Sequence, residues 1–195
     1  MKLYTAPTSP FGRKSVIVAR EHSINIEEVN CNPFNSDKLS DINPLRLVPV
    51  LQLDDGSVLC DSFVICEYFD SIGKGPTLYP DLERWAWSNR MIMGHGLGDA
   101  SVQLQLQKVL PAEEQSKTMM KRYQERISRT LTLLEKQVLA LSEGEVRIDK
   151  VCVVIGLGHL EFRHGGKWRV EAPKLSGWYD DIMKRASFSQ TMPSA

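Results

Sequence analysis

The sequence predicts an α/β first half followed by an all-helical second half. Three observations carry this. Short apolar or alternating runs at 1–5, 24–30, 50–53 and 58–60 read as strands, and helical patterns at 11–22 and 62–71 lie between or after them. The stretch 72–80, Ile-Gly-Lys-Gly-Pro-Thr-Leu-Tyr-Pro, holds two glycines and two prolines and reads as a linker. Beyond it strand signals nearly vanish, and apolar residues recur at spacings of three and four. A chain of 195 residues has room for one large domain or two small ones with a real core.

Each element has a local reason. The break Ala6-Pro7-Thr8-Ser9-Pro10 ends the first strand, and Pro10 suits the first turn of the helix that follows. Residues 32–43 are polar and irregular, with one helical turn around 37–39. Val48 precedes a proline and is pushed into extended backbone, while Pro49 lacks a donor and belongs at a strand's first residue. Asp54-Asp55-Gly56-Ser57 is a hairpin turn between two short strands. Asp61-Ser62 starts the next helix. The first two strands, joined through a helix, should lie parallel.

In the second half, Asp81 is placed to cap a helix running to about residue 108. Pro111 opens another, whose apolar residues Ile127, Leu131, Leu134, Val138 and Leu141 keep helical spacing. Residues 151–162 are apolar on nearly all sides and read as the central buried helix. A last helix is expected over 174–186, and the tail at Thr191-Met192-Pro193 predicts no element.

The composition excludes several classes. Lys plus Arg equals Asp plus Glu, 24 against 24, so no charge excess favours nucleic acid or an anionic membrane. No apolar run approaches the ~20 residues that span a bilayer, and the N-terminus lacks a signal-peptide pattern. Four scattered cysteines without a CxxC pair read as buried reduced thiols of a cytosolic protein.

The candidate chemistry sits in the first half. Ser9 lies between a strand and a helix; its hydroxyl either caps the helix or points at a ligand's anion. The hairpin sets an exposed amide at Val48 beside a helix N-terminus at Ser62, a ready site for a carboxylate, although an ordinary N-cap reads the same way. Arg13-Lys14 reads first as a solvated face and second as an anion holder. Gly94-His95-Gly96-Leu97-Gly98 and Gly156-Leu157-Gly158 lack the context of a phosphate loop and read as packing points. The four histidines share no metal-ligand spacing, and His159 reads as a satisfied core histidine. Trp85 and Trp87 read as core before they read as pocket walls.

Taken in order, these residues resemble the glutathione S-transferase superfamily, and most of all its small bacterial members with a Ser-Pro-Phe element. The matches are Tyr4 and Ser9-Pro10-Phe11 with Arg13-Lys14, Asn43-Pro44-Leu45, Val48-Pro49-Val50-Leu51, and Asp61-Ser62 with Ile65 and Tyr68. Later matches are Gly96 to Ala100, Gly158 to Arg163, Pro173, and Trp178-Tyr179 to Ser187-Phe188. The resemblance implies a thioredoxin-like, glutathione-binding domain over 1–73 and an all-α domain over 81–195 that forms the electrophile pocket. It implies a cis bond before Pro49 and a cytoplasmic homodimer that uses glutathione as co-substrate and no metal.

Carried over to this chain, Ser9 would be the activating hydroxyl and Phe11 a neighbouring contact. Val48, ahead of Pro49, would pair with the cysteinyl backbone of glutathione, Ser62 would hold the γ-glutamyl carboxylate, and Asp61 would face the γ-glutamyl amine. The thiolate would then attack a hydrophobic electrophile. The alternative is a binding scaffold of the same fold with little or no catalysis. A thiol–disulfide oxidoreductase is disfavoured because residue 9 is Ser and not Cys. The chain departs from the family at Arg46-Leu47, where relatives carry Gly-Lys, and at Gln103, Gln105 and Gln107. It departs again at Arg147 and Lys150, where relatives carry a capping box and where positive charge opposes the helix dipole.

Overall fold

Four short strands organise the first part of the structure, a computed structural model that describes residues 1–194. They are β1 (Lys2–Thr5), β2 (Glu27–Asn30), β3 (Val50–Gln52) and β4 (Val58–Cys60). They form one sheet in the order β2-β1-β3-β4. β1 and β2 are parallel, whereas β1–β3 and β3–β4 are antiparallel, with Tyr4 opposite Val50 and Val50 opposite Cys60. With the helices α1 (Pro10–Glu21), α2 (Asp37–Ile42) and α3 (Ser62–Ile72), this is the thioredoxin-like arrangement that the resemblance implies.

Strand alternation divides the core between two faces. Tyr4 and Val50 pack with Leu39 of α2 and with Cys31. Leu3 and Leu51, one residue along each strand, turn to the opposite face and are fully buried. α1 and α3 lie side by side and run the same way: Lys14 meets Phe63, Ser15 approaches Cys66, and His22 bonds Asp70 at 2.9 Å. Asp70 also accepts from Thr77 and from the Leu78 amide, which ties down the chain after α3.

The chain divides into two compact units, Met1–Pro80 with the segment from Gln190, and Asp81–Ser189. The expected helical half, 81–195, therefore gives up its tail to the first unit. Arg13 donates to Thr191 Oγ1 at 3.3 Å, and Arg20 donates to Gln190 Oε1 at 3.4 Å. These long-range hydrogen bonds are invisible to local patterning, which is why the tail predicted nothing.

The second unit holds α4 (Arg84–Lys108), α5 (Lys117–Lys136), α6 (Val138–Ser142), α7 (Ile148–His164), α8 (Trp168–Glu171), α9 (Pro173–Ile182) and α10 (Ala186–Ser189). α7 is buried from Ile148 to Leu160, as its uniformly apolar sequence requires. Glycines bring α4 against it. A Cβ on Gly94 would fall 2.5 Å from the Val153 nitrogen, and one on Gly156 would fall 2.6 Å from the Gly94 oxygen. His159 Nδ1 shares a hydrogen bond with Ser101 Oγ at 2.7 Å, the satisfied core role expected of it.

Several boundaries move. Asp81 does not cap α4; its carbonyl takes the Arg84 amide, and the helix starts after Glu83, which has φ 56° and no side-chain cap bond. Pro111–Glu114 forms only a turn, and α5 begins later, where Ser116 Oγ accepts from the Met119 amide. The helix expected to run to Leu141 breaks at Gln137, and the one expected over 174–186 ends at Ile182. α8 was not foreseen. Trp87 is core, but Trp85 is 82% exposed.

The predicted charge conflict at the α7 N-terminus resolves by engaging both cations: each reaches carbonyls at the end of α6, and Arg147 Nε also lies 3.6 Å from Asp149 Oδ1 in the first turn of α7. Lys150 donates to the Glu143 and Gly144 carbonyls at 2.7 and 2.9 Å, and Arg147 donates to the Ala140 carbonyl at 3.2 Å. They thus satisfy carbonyls at the end of α6, where positive charge is favourable. Asp149, fully buried, accepts from Arg90 Nε at 2.9 Å and anchors α7 to α4. Burial, followed by the nearby Arg147, pushes the Lys150 ammonium down.

His159 makes stability pH-dependent. Burial, then the charges of His164 and Arg163, lower it from 6.5 to about 4. It is neutral when folded and charged when unfolded between those values, so the unfolded chain binds the extra proton. Its contribution is complete above pH 6.5 and is lost as pH falls towards 4, by up to about 3 kcal/mol. Urea midpoints between pH 7 and pH 4 should fall steeply for the wild type and less steeply for His159→Gln.

Candidate functional site

The sheet register gathers three turns of the chain at one end. Tyr4 lies opposite Val50, and Val50 opposite Cys60. The end of β1, the start of β3 and the end of β4 therefore coincide. Ser9 follows the first, Val48-Pro49 precedes the second, and Asp61-Ser62 follows the third. Each sequence-predicted site residue thus sits at the same end of one sheet.

Ser9 reconciles its two readings. It is the N-cap of α1, and its Oγ accepts from the Gly12 amide at 3.2 Å. Accepting through oxygen leaves the O–H free to donate, and it has no acceptor among the described residues. Gly12 is required here because a Cβ would collide with Thr5 Oγ1 at the end of β1. That close approach holds the α1 N-terminus against the sheet end. Phe11, half-buried, stands in the same first turn.

The Val48–Pro49 bond is cis, as the resemblance implies. Val48 lies just outside the ladder, which begins at Val50, and its amide has no partner among the described residues. Buried Asn43 shapes the approach: its Nδ2 donates to the Leu47 carbonyl at 2.9 Å, and its Oδ1 accepts from the Leu45 amide at 3.1 Å. In the sequence Asn43 carries no signal beyond its place ahead of Pro44; its role depends on burial and on the Leu45 and Leu47 backbone. Leu47 is 61% exposed, so no cation replaces the family's lysine at that position.

Asp61 caps α3, its Oδ1 accepting from the Phe63 amide at 2.7 Å. It does so at φ 74° and ψ 135°, a backbone that costs a non-glycine residue of order 1–3 kcal/mol. Ser62 is the first residue of α3 and is 3% exposed, and its amide has no partner among the described residues. A free amide at a helix N-terminus and the positive end of the helix dipole both favour an anion there. Nearby, burial and then the Asp61 charge push the Cys60 thiol up, which keeps it protonated and a poor nucleophile.

Arg13-Lys14 is not a solvated face. Both residues are buried, Arg13 at 7% exposure and Lys14 at 0%. The signal was present in the helical period, because 14 and 15 share the face of 11, 18 and 22 that meets α3. Among the described residues no group of three or more His, Cys, Asp or Glu could hold a metal ion. Among them, too, no helix is long and apolar enough to cross a membrane.

Comparison with known proteins identifies the family and the fold. Residues 3–77 match the family model described as glutathione S-transferase, N-terminal domain. An uncharacterized GST-like protein of Escherichia coli (strain K12), YibF, is 32% identical, with 99% of this chain and 98% of that protein covered. A glutathione transferase family member from Pseudomonas fluorescens Pf-5, solved with bound glutathione, superposes with a TM-score of 0.92 at 30% identity, over 100% of this chain and 99% of that one. The same protein bound to S-(propanoic acid)-glutathione superposes with a TM-score of 0.87 at 30% identity, over 100% of both chains.

The strained cap at Asp61 is testable. Asp61→Ala removes the cap while keeping a Cβ at positive φ, and should cost about 2 kcal/mol. Asp61→Gly loses the cap but relaxes the backbone, and should cost about 1 kcal/mol less. Urea unfolding of the two variants checks the order.

Proposed function

Because the chain belongs to the glutathione S-transferase superfamily, we propose that it is a working glutathione transferase. The thiol of glutathione lies beside Ser9, whose free O–H donates to the sulfur. That donor and the N-terminal end of α1 favour the thiolate, lowering a thiol pKa that is ~8.5 in free cysteine. The proton leaves to solvent. The sulfur attacks an electrophilic carbon, a carbon–sulfur bond forms, and a leaving group such as halide departs with its electron pair.

Val48 pairs its backbone with the cysteinyl unit in the manner of an added edge strand. The Ser62 amide takes the γ-glutamyl carboxylate, and Asp61 faces the γ-glutamyl amine. What carries the reading is the register of β1, β3 and β4, which brings these groups to one sheet end. The two complexes of the Pseudomonas fluorescens relative, with glutathione and with S-(propanoic acid)-glutathione, support the same reading. The role is detoxification of hydrophobic electrophiles in the cytoplasm.

One observation favours a second reading, a glutathione-binding scaffold without turnover: an exposed Leu47 stands where the family's lysine would reach the glycyl carboxylate. Retention on immobilised glutathione followed by conjugation of an aryl halide separates the two. The enzyme reading expects both, and binding without turnover selects the scaffold. Ser9→Ala should keep retention, lower kcat roughly a hundredfold, and move the pH profile to higher pH. Unchanged turnover would remove Ser9 from the mechanism.

The helical unit exposes Leu82 at 80%, Trp85 at 82% and Ile92 at 48%. Trp85 and Ile92 are seven residues apart and share one face of α4. Exposed apolar side chains on one helix face suit an interaction surface, and we assign this one to the homodimer. Light scattering should give a dimer for the wild type and a monomer for Trp85→Glu; a monomeric wild type would refute the assignment.

A further inference from the structure

Lys14 has no role in the scheme so far, yet it is the most unusual charge in the first unit. Its residue is 0% exposed, and its Nζ has no hydrogen-bond partner among the described residues. Buried ammonium groups are normally paired, because an unpaired one has lost its hydration without compensation. The contact Lys14 does make is with an aromatic face: Nζ stands 3.4 Å from the centroid of the Phe63 ring. That cation–π contact offsets part of the lost hydration.

The location makes the charge costlier. Phe63 is the second residue of α3, directly after Ser62. α1 and α3 run the same way, so both helices turn their partial positive ends towards the end of the sheet where Lys14 lies. Neither helix has an acidic residue in its first turn. The nearest cap carboxylate, Asp61, is engaged with the Phe63 amide. The Lys14 ammonium and two positive helix ends thus share one corner, where the Asp61 carboxylate is exposed and already engaged with the Phe63 amide. Such a corner is complete only when an anion arrives.

We propose that Lys14 is a positioning residue for the carboxylate that binds at the α3 N-terminus. Acting from beneath the Phe63 ring, it makes that corner selective for ligands carrying an anionic γ-glutamyl end. The inference rests on the glutathione-binding reading and deepens it. The Ser62 amide supplies the direct contact; Lys14 supplies the field that rewards negative charge there. The attraction crosses an aromatic ring and starts from a fully buried ammonium, where screening is weaker than between exposed charges.

The test compares three ligands by calorimetry: glutathione, S-methylglutathione, and γ-aminobutyryl-cysteinyl-glycine, which lacks only the γ-glutamyl α-carboxylate. Lys14→Met keeps the apolar stem and removes the charge. It should weaken glutathione and S-methylglutathione alike, by roughly tenfold, and leave the decarboxylated tripeptide unchanged. Lys14→Arg should restore both affinities.

Equal loss for all three ligands would reduce Lys14 to a structural role and overturn the proposal. Loss for glutathione but not for S-methylglutathione would assign the charge to the thiolate and overturn it as well. If Lys14→Met does not fold, Lys14→Gln answers the same question with a neutral side chain of similar reach. A wild type that binds none of the three would fail the glutathione reading itself. A wild type that binds, with a Lys14→Met profile unchanged, would fail the Lys14 inference alone.

Discussion

Antiparallel pairing of β3 with both β1 and β4 is the constraint on which everything else depends. An antiparallel partner must begin where its neighbour ends, so one central three-residue strand draws three separate turns of the chain to the same place. No long-range side-chain contact is needed to assemble the site. The cost is that the site has no independent existence: a slip of one residue in β3 would send Val50 to the opposite face and carry Val48 away from the other two turns.

Helix ends then convert this geometry into chemistry. α1 and α3 both begin at that end of the sheet and run parallel, so their unsatisfied amides and dipoles point the same way. Gly12 lets the first of them seat against Thr5. Ser9 spends its oxygen on capping the helix and keeps its hydrogen for a ligand. The buried ammonium of Lys14, set against the Phe63 ring, adds to the same positive field. A fold optimised for stability alone would not place these like-signed features together, and local conflicts of this kind are where function is expected.

Much of the first unit was legible because its signals are local. Pro49, Gly56 and the Asp61-Ser62 pair punctuate the chain by backbone sterics and capping, which act within a few residues. Gly94 and Gly156 were legible as packing points for the same reason, a missing Cβ marking close approach, whereas Gly96, read the same way, meets nothing within 4 Å. Lys14 was not legible as a buried group because charged residues are rarely buried, and composition outweighed the helical period. The tail from Gln190 and the turning-back of Arg147 and Lys150 depend on partners distant in sequence or on a different helix end. Asp81, Pro111 and Gln137 misled for a related reason. Each carries an ordinary start or continuation signal that neighbouring turns override, and helix boundaries are the weakest part of any local reading.

The most direct check on the account follows backbone amide resonances while glutathione is added to the isotopically labelled protein. Convergence at one sheet end predicts that the largest shifts fall together on the amides of Phe11, Gly12, Val48, Ser62 and Phe63, with a common midpoint. Shifts confined to one of these three turns, or concentrated elsewhere on the chain, would contradict it.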